Sequence, residues 1–260
     1  MKTGILLASF GAGNLQSSAT LKKVQAEVEE KFGLPVRWAY TSETMRQRLA
    51  SHAHTKSDSV SKALLRMRFD RYERVIVQSL HLIPGLEYAD LRAEAALAVE
   101  ECGLEVRVGR PLLAEPGDVE KAALALLDHL PADRGPDDAV VCMGHGSLHE
   151  SETLYLDWAE RVKRADTGVF VACMKGSLTL DHILPELLDR APSRIWLLPL
   201  LSVVGRHTLD DMAGNRPESW KNRLERAGFD CRADLKGLAD GPGFVALWLE
   251  RLRQTLSVCS

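Results

Sequence analysis

The sequence predicts an α/β protein of two similar lobes, each carrying a mostly parallel sheet flanked by helices, with a cleft between them. Three observations lead there. Short apolar runs alternate with longer helical patterns along all 260 residues, as expected for crossover units. The stretch Leu130 to Asp138, LPADRGPDD, breaks the periodicity near the middle with two prolines, a glycine and several charges, which reads as a linker. The halves also resemble each other. ILLASFGAG matches VVCMGHGS with Phe10 set against His145, and VIVQSLHLIPGLEYADL (75–91) matches IWLLPLLSVVGRHTLDD (195–211) with Gly85 opposite Gly205. That alignment sets Glu87 opposite His207 and Asp90 opposite Asp210. The expected lobes are 1–130 and 138–260, with 131–137 joining them.

The elements follow in order. Ile5 to Phe10 is too short for the apolar core of a signal peptide and leads straight into an amphipathic pattern, so it reads as a strand over 4–9 followed by a helix over 15–31. Strands at 35–40, 73–79 and 105–108 and helices at 58–68, 87–102 and 118–129 complete the first half. The second half begins with Val140-Val141-Cys142-Met143, apolar throughout as in a strand covered on both faces. Its expected strands are 138–143, 168–173, 194–200 and 229–233, and its helices 150–164, 179–189, 217–227 and 243–256.

Composition narrows the function. A formal charge of −3 gives no field for nucleic acid or an anionic membrane. Cys102, Cys142, Cys173, Cys231 and Cys259 form no CxxC pair, and two of them sit inside expected buried strands, so neither a disulfide framework nor a cysteine zinc site is expected. No run approaches the roughly 18 apolar residues of a membrane span. A cytoplasmic protein is expected, and the absence of a signal peptide argues against an exported two-lobed binding protein.

The chemistry gathers at strand ends, where open sheets bind ligands. His145 ends the strand VVCMG between two glycines, Gly144 and Gly146, that leave room for a turn and for close approach of a ligand. His207, in VVGRHTLDDMAG, follows another apolar strand and a glycine. Together they offer two imidazoles to a divalent ion, the usual nitrogen ligands of Co, Fe, Ni or Zn. SFGAGN at 9–14 lacks both the GxGxxG spacing and the Walker lysine, so no nucleotide site is expected.

MGHGS at 143–147, QSLHLIPGLEY at 78–88 and PLLSVVGRHTLDDMAG at 199–214, followed by SWK at 219–221, resemble the anaerobic, ATP-independent class II sirohydrochlorin cobaltochelatases of the CbiK type. The resemblance runs from SFG at 9–11 to the final helix. It implies a chelatase-like fold that holds a tetrapyrrole and inserts Co²⁺, in some relatives Fe²⁺ or Ni²⁺, into sirohydrochlorin for cobalamin or siroheme synthesis. A homo-oligomer is consistent with it. The family pattern places the metal on two histidines, matched by His145 and His207, and on a glutamate. The glutamate is not matched: in VFVACMKGSL its position falls on Lys175. A protonated lysine donates hydrogen bonds and cannot ligate.

Three readings of Lys175 follow. It pairs with a substrate carboxylate; or burial beside the metal depresses its pKa until it serves as a neutral base; or it marks a chain that has kept tetrapyrrole binding and lost turnover. A strand end displaced toward solvent would leave it without any of these roles. The first reading is preferred, and it makes Glu87, the repeat partner of His207, the natural carboxylate near the metal. The rival class of function is a non-catalytic tetrapyrrole or metal carrier.

His145 is the expected base for the pyrrole protons, because an imidazole titrates near working pH. Ser9, Gly11 and Gly13 at the first strand–helix turn, with Phe10 beside them, are expected to meet the substrate, and a helix start there suits a carboxylate. Arg206, Lys175 and Arg110 add positive charge, and His81 is a second candidate for substrate contact. Asp210 is placed to orient His207, and His149 to support His145. His52, His54, His129 and His182 read as surface, Glu152 and Asp157 as solvated charges, and Trp220 and Lys221 as packing and surface.

Overall fold

The computed structural model of the chain describes residues 1–11, 13–47, 57–148 and 150–257. His52, His54, His149 and Cys259 lie outside the described residues. Two compact units are formed, Met1–Ala114 with Val245–Ser260 and Glu115–Phe244.

The first unit is built on β1 (Thr3–Ser9), β2 (Val36–Tyr40), β3 (Arg74–Ser79) and β4 (Glu105–Gly109), ordered β2-β1-β3-β4. All its strand pairs are parallel. Its helices α1 (Leu15–Phe32), α2 (Val60–Phe69) and α3 (Leu86–Cys102) provide the crossovers. Asn14 caps α1: its side chain accepts from the Ser17 backbone N–H at 2.8 Å, while the Ser17 hydroxyl accepts from the Asn14 N–H, the reciprocal box that satisfies two helix-start donors. Leu6, Ala8, Val75 and Val77 pack against Leu64, Met67 and Leu91 to form one apolar face of the sheet.

The second unit repeats the plan with β5 (Ala139–Gly144), β6 (Val169–Cys173), β7 (Ile195–Leu200) and β8 (Cys231–Ala233), ordered β6-β5-β7-β8 and again parallel. It carries α4 (Pro116–Leu127), α5 (Glu152–Ala165), α6 (Leu180–Arg190) and α7 (Trp220–Arg226). The last helix, α8 (Pro242–Ser257), starts here and belongs from Val245 on to the first unit. Pro199 sits inside β7 without losing a ladder bond. Ile195 and Leu197 bond toward β8, whose pairing ends at Leu197–Ala233, so the missing donor two residues later faces no strand.

The internal repeat read from the sequence holds in the register. Ala8 pairs with Ser79 in one sheet and Met143 with Pro199 in the other, the correspondence that the alignment of Phe10 with His145 requires. The outer pair agrees: Thr41 N–H donates to Ser9 at 2.9 Å, and Met174 N–H donates to Gly144 at 3.0 Å.

The boundary near 130–138 differs from expectation. Asp138 is buried, and its carboxylate accepts from the Gly135 N–H and the Trp196 indole N–H, each at 2.9 Å. The segment is therefore a turn tied to β7 inside the second unit. Helix α4 belongs with it too, packed on α5 with Glu120 paired to Arg161. His129 also departs from the expected surface position: it is 8% exposed, edge-on to Phe244, and burial, with the charge of Lys236, lowers its pKa.

Candidate functional site

In the second unit, the ends of neighbouring strands bring the two histidines together. Gly144 pairs with Leu200 across β5 and β7. His145 follows the first directly, and His207 opens a short π-helix, His207–Met212, after the second. The intervening loop is anchored by Leu238 N–H to Leu201 and Ala239 N–H to Ser202, both at 2.9 Å, with Val203 and Val204 buried. The rings lie 5.5 Å apart between centroids at an interplanar angle of 64°.

Their hydrogen bonds set which nitrogen faces outward chemistry. His207 Nδ1 lies 2.6 Å from Asp211 Oδ2, a distance that requires an Nδ1–H donor. His145 Nδ1 lies 3.3 Å from the Gly146 carbonyl oxygen, which favours the same tautomer. In the neutral form of each ring the lone pair then falls on Nε2, the atom that can ligate a metal or accept a proton. The partner of His207 is Asp211 and not Asp210. Asp210 instead accepts from Arg206 at 3.2 Å and pairs with Arg216 at 3.7 Å. The reason is the π-helix, whose widened turn, marked by the Ala213 N–H bond to the Thr208 carbonyl, brings the fourth residue on over the first.

Lys175 stands exposed beyond the end of β6. Its backbone is held tightly: Gly146 has φ +76°, and a Cβ there would overlap the Lys175 carbonyl. Glu152, at the start of α5, accepts from the Ser177 backbone N–H and from its hydroxyl at 3.0 Å. It is thus a fastening of the 174–177 loop and not the solvated charge expected; no periodicity in the sequence signals that bond. Cys173, buried at the end of β6, has its thiol pushed up to about 12 by burial and by Glu152, so without a metal it stays protonated. Among the described residues no group of three or more histidine, cysteine, aspartate or glutamate side chains is placed to hold a metal. Among the described residues His145 and His207 are the two imidazoles brought together here.

The first unit gathers Ser9, Phe10, Gly11, His81 and Glu87 at the carboxyl end of its sheet. Ser9 is 1% exposed and its hydroxyl has no hydrogen-bond partner among the described residues, whereas Phe10 is 45% exposed. Gly11 has φ +147° and is packed by Met45. His81 is placed differently from a residue that meets substrate. Ser79 Oγ lies 2.9 Å from its Nδ1 and Thr41 Oγ1 lies 3.2 Å from its Nε2, so both ring nitrogens are engaged by hydroxyls at the ends of β3 and β2. Burial lowers its pKa to about 4, against the opposing pull of Glu87. It is a neutral clasp between strand ends. Glu87 occupies the first turn of α3, the place where a helix favours negative charge.

The cobalt chelatase (CbiK) family model matches residues 3–257. The chain is 53% identical over 258 residues to sirohydrochlorin cobaltochelatase CbiKC of Nitratidesulfovibrio vulgaris, covering 98% of this chain and 91% of that one. It is 28% identical over 261 residues to the sirohydrochlorin cobaltochelatase of Salmonella typhimurium, covering 99% and 98%. Two solved structures share the fold. SirB from Bacillus subtilis with Fe³⁺ has TM-score 0.68 at 14% identity, with 98% of this chain and 96% of that one covered. The sirohydrochlorin chelatase SirB from Bacillus subtilis subspecies spizizenii in complex with cobalt has TM-score 0.65 at 13% identity, with 99% and 96% covered. The chain belongs to the CbiK family of cobalt chelatases.

Proposed function

We propose that this chain is an ATP-independent sirohydrochlorin cobaltochelatase. The observation that carries the reading is the pair of imidazoles 5.5 Å apart on adjacent strand ends, in a chain 53% identical to a sirohydrochlorin cobaltochelatase over nearly its whole length.

Metal insertion exchanges two pyrrole N–H protons for a dication. Co²⁺ is held by Nε2 of His145 and His207, with water completing its shell. Two neutral nitrogens bind it without the grip of a thiolate cage. As the pyrrole nitrogens take the ion, its bonds to the imidazoles break. His145 Nε2 then accepts one pyrrole proton and water the other; ligand and base are successive roles of one lone pair. Fe²⁺ and Ni²⁺ suit the same donors, so the physiological choice of cobalt rests on supply. Lys175, exposed at the strand end, pairs with a carboxylate of the macrocycle, and Arg206 adds a second positive charge. On the first unit, Ser9, Phe10, Gly11 and Glu87 are the candidate contacts to substrate. Among the described residues no helix is long and apolar enough to cross a membrane, which is consistent with a cytoplasmic site of action.

The test is anaerobic absorbance of sirohydrochlorin with catalytic protein and Co²⁺. Wild type is expected to turn over many times and His145→Ala to stop. Lys175→Glu is expected to retain turnover with a raised KM for sirohydrochlorin. A wild type that gives only a stoichiometric spectral shift, while Lys175→Glu turns over, would make the chain a carrier.

A further inference from the structure

We infer that Arg206 and Arg216 form a carboxylate clamp that grips the rim of the macrocycle beside the metal-binding histidines, with Asp210 holding the two guanidinium groups together. The inference rests on the reading that sirohydrochlorin is the substrate, and it names the groups that recognise its acid side chains on the second unit.

Both arginines meet one oxygen. Arg206 Nε donates to Asp210 Oδ2 at 3.2 Å, and Arg216 Nη2 lies 3.7 Å from the same atom, an ion pair beyond hydrogen-bond length. Among the described residues neither guanidinium has another partner. A guanidinium presents its N–H donors as a planar fork that fits a carboxylate bidentately. One shared carboxylate therefore leaves most of those donors unused by the protein. Stability does not explain the arrangement, because exposed ion pairs contribute little to it, and both arginine side chains are more than half exposed.

The placement of the pair is fixed by the fold. Arg206 directly precedes His207 at the head of the π-helix. Arg216 sits in the loop between Met212 and Trp220, both of which are buried in the core of the second unit. Its carbonyl oxygen accepts from the Ser219 N–H at 3.0 Å and from the Asn222 side-chain amide at 2.8 Å, while the Ser219 hydroxyl donates to the Gly214 carbonyl at 2.7 Å. Of the neighbouring charges, Asp211 is engaged by His207 and Lys221 by Glu225. Glu218, exposed in the same loop, pairs with neither arginine. Sirohydrochlorin carries its acetate and propionate groups on its rim, away from the central nitrogens that take the metal. Groups that grip the rim must stand beside the metal ligands and not among them, as Arg206 and Arg216 do. A rim carboxylate that enters the open sides of both forks gains charge-assisted bonds from each.

The experiment is anaerobic titration of the protein with metal-free sirohydrochlorin, read by its visible absorption, beside a separate Co²⁺ titration. Wild type runs with Arg206→Ala, Arg216→Ala, Arg216→Lys and the double alanine variant. Arg216→Ala is expected to raise the Kd for sirohydrochlorin about tenfold, as for a lost hydrogen bond to a charged group, and to leave the Co²⁺ Kd unchanged. Arg216→Lys keeps the charge without the fork and is expected to fall between. Because both forks hold one carboxylate, the double variant is expected to lose less than the product of the single losses. A sirohydrochlorin Kd equal to wild type in both single alanine variants overturns the inference. So do single losses that multiply in full, which place the arginines on separate carboxylates, and a Co²⁺ Kd that rises in step, which makes them act through His207. The titration needs no turnover: a wild type that binds sirohydrochlorin without inserting Co²⁺ defeats the chelatase reading and leaves the clamp to be judged on the same Kd values. A wild type that does not bind sirohydrochlorin overturns both.

Discussion

His81 and Gly146 are the residues where single-atom environments make the sharpest demands. Burial holds the His81 imidazole neutral, with its pKa at about 4 against an ordinary 6.5. Above pH 6.5 both folded and unfolded chains carry it neutral, and its contribution to stability is complete. Between about 6.5 and about 4 only the unfolded chain takes up the proton, so stability falls by about 1.4 kcal/mol per pH unit on this account. Urea unfolding of wild type and His81→Gln from pH 7 to pH 5 is expected to show the steeper acid loss in wild type; parallel slopes would contradict the clasp. At Gly146 the φ of +76° and the adjoining Lys175 carbonyl both resist a side chain. Gly146→Ala is expected to cost about 2 kcal/mol from the left-handed conformation alone. Displacing the His145 turn should abolish Co²⁺ turnover, and a Tm and a rate equal to wild type would refute it.

At the scale of elements, the site depends on an irregular one. The π-helix His207–Met212 is what pairs His207 with Asp211. Gly214 lies against it so closely that a Cβ would overlap the Asp210 carbonyl. Gly214→Ala is therefore expected to push the turn and weaken Co²⁺ binding several-fold while β5 to β8 remain folded. Circular dichroism beside a Co²⁺ titration separates the two, and an unchanged Kd would show that the turn absorbs the methyl. Strand ends were legible from apolar runs and flanking glycines, because a parallel strand buried on both faces has few other compositions open to it. The π-helix was not legible. HTLDDM has no period of its own, and one inserted turn residue depends on what Leu201 to Arg206 are anchored to.

At the scale of the whole chain, the division into units falls at two places, between Ala114 and Glu115 ahead of α4 and inside the last helix at Val245. From Val245 on, α8 belongs to the first unit, and Trp248 there is 2% exposed. Trp248→Ala is expected to destabilise the protein by about 3–5 kcal/mol. Its indole N–H has no hydrogen-bond partner among the described residues, so Trp248→Phe should cost much less, since no bond is lost with the nitrogen. Denaturant midpoints of the two variants check this, and equal losses would show that the indole makes more than packing contacts.

By itself the sequence determined the alternation of strands and helices, the repeat that places Phe10 opposite His145, and the two histidines at strand ends. These are properties of apolar spacing and of short motifs, which act within a few residues. Tertiary structure decided the rest: that Asp211 and not Asp210 serves His207, that Thr41 and Ser79 consume both nitrogens of His81, that Glu152 fastens the Lys175 loop, and that Asp138 ties the supposed linker to Trp196. Except for the His207–Asp211 and Ser79–His81 bonds, each joins groups at least 25 residues apart in the chain. Those two local pairings turn on helix pitch and on a strand end. A hydrogen bond is chosen within a few tenths of an ångström, and only the packed fold fixes positions that finely.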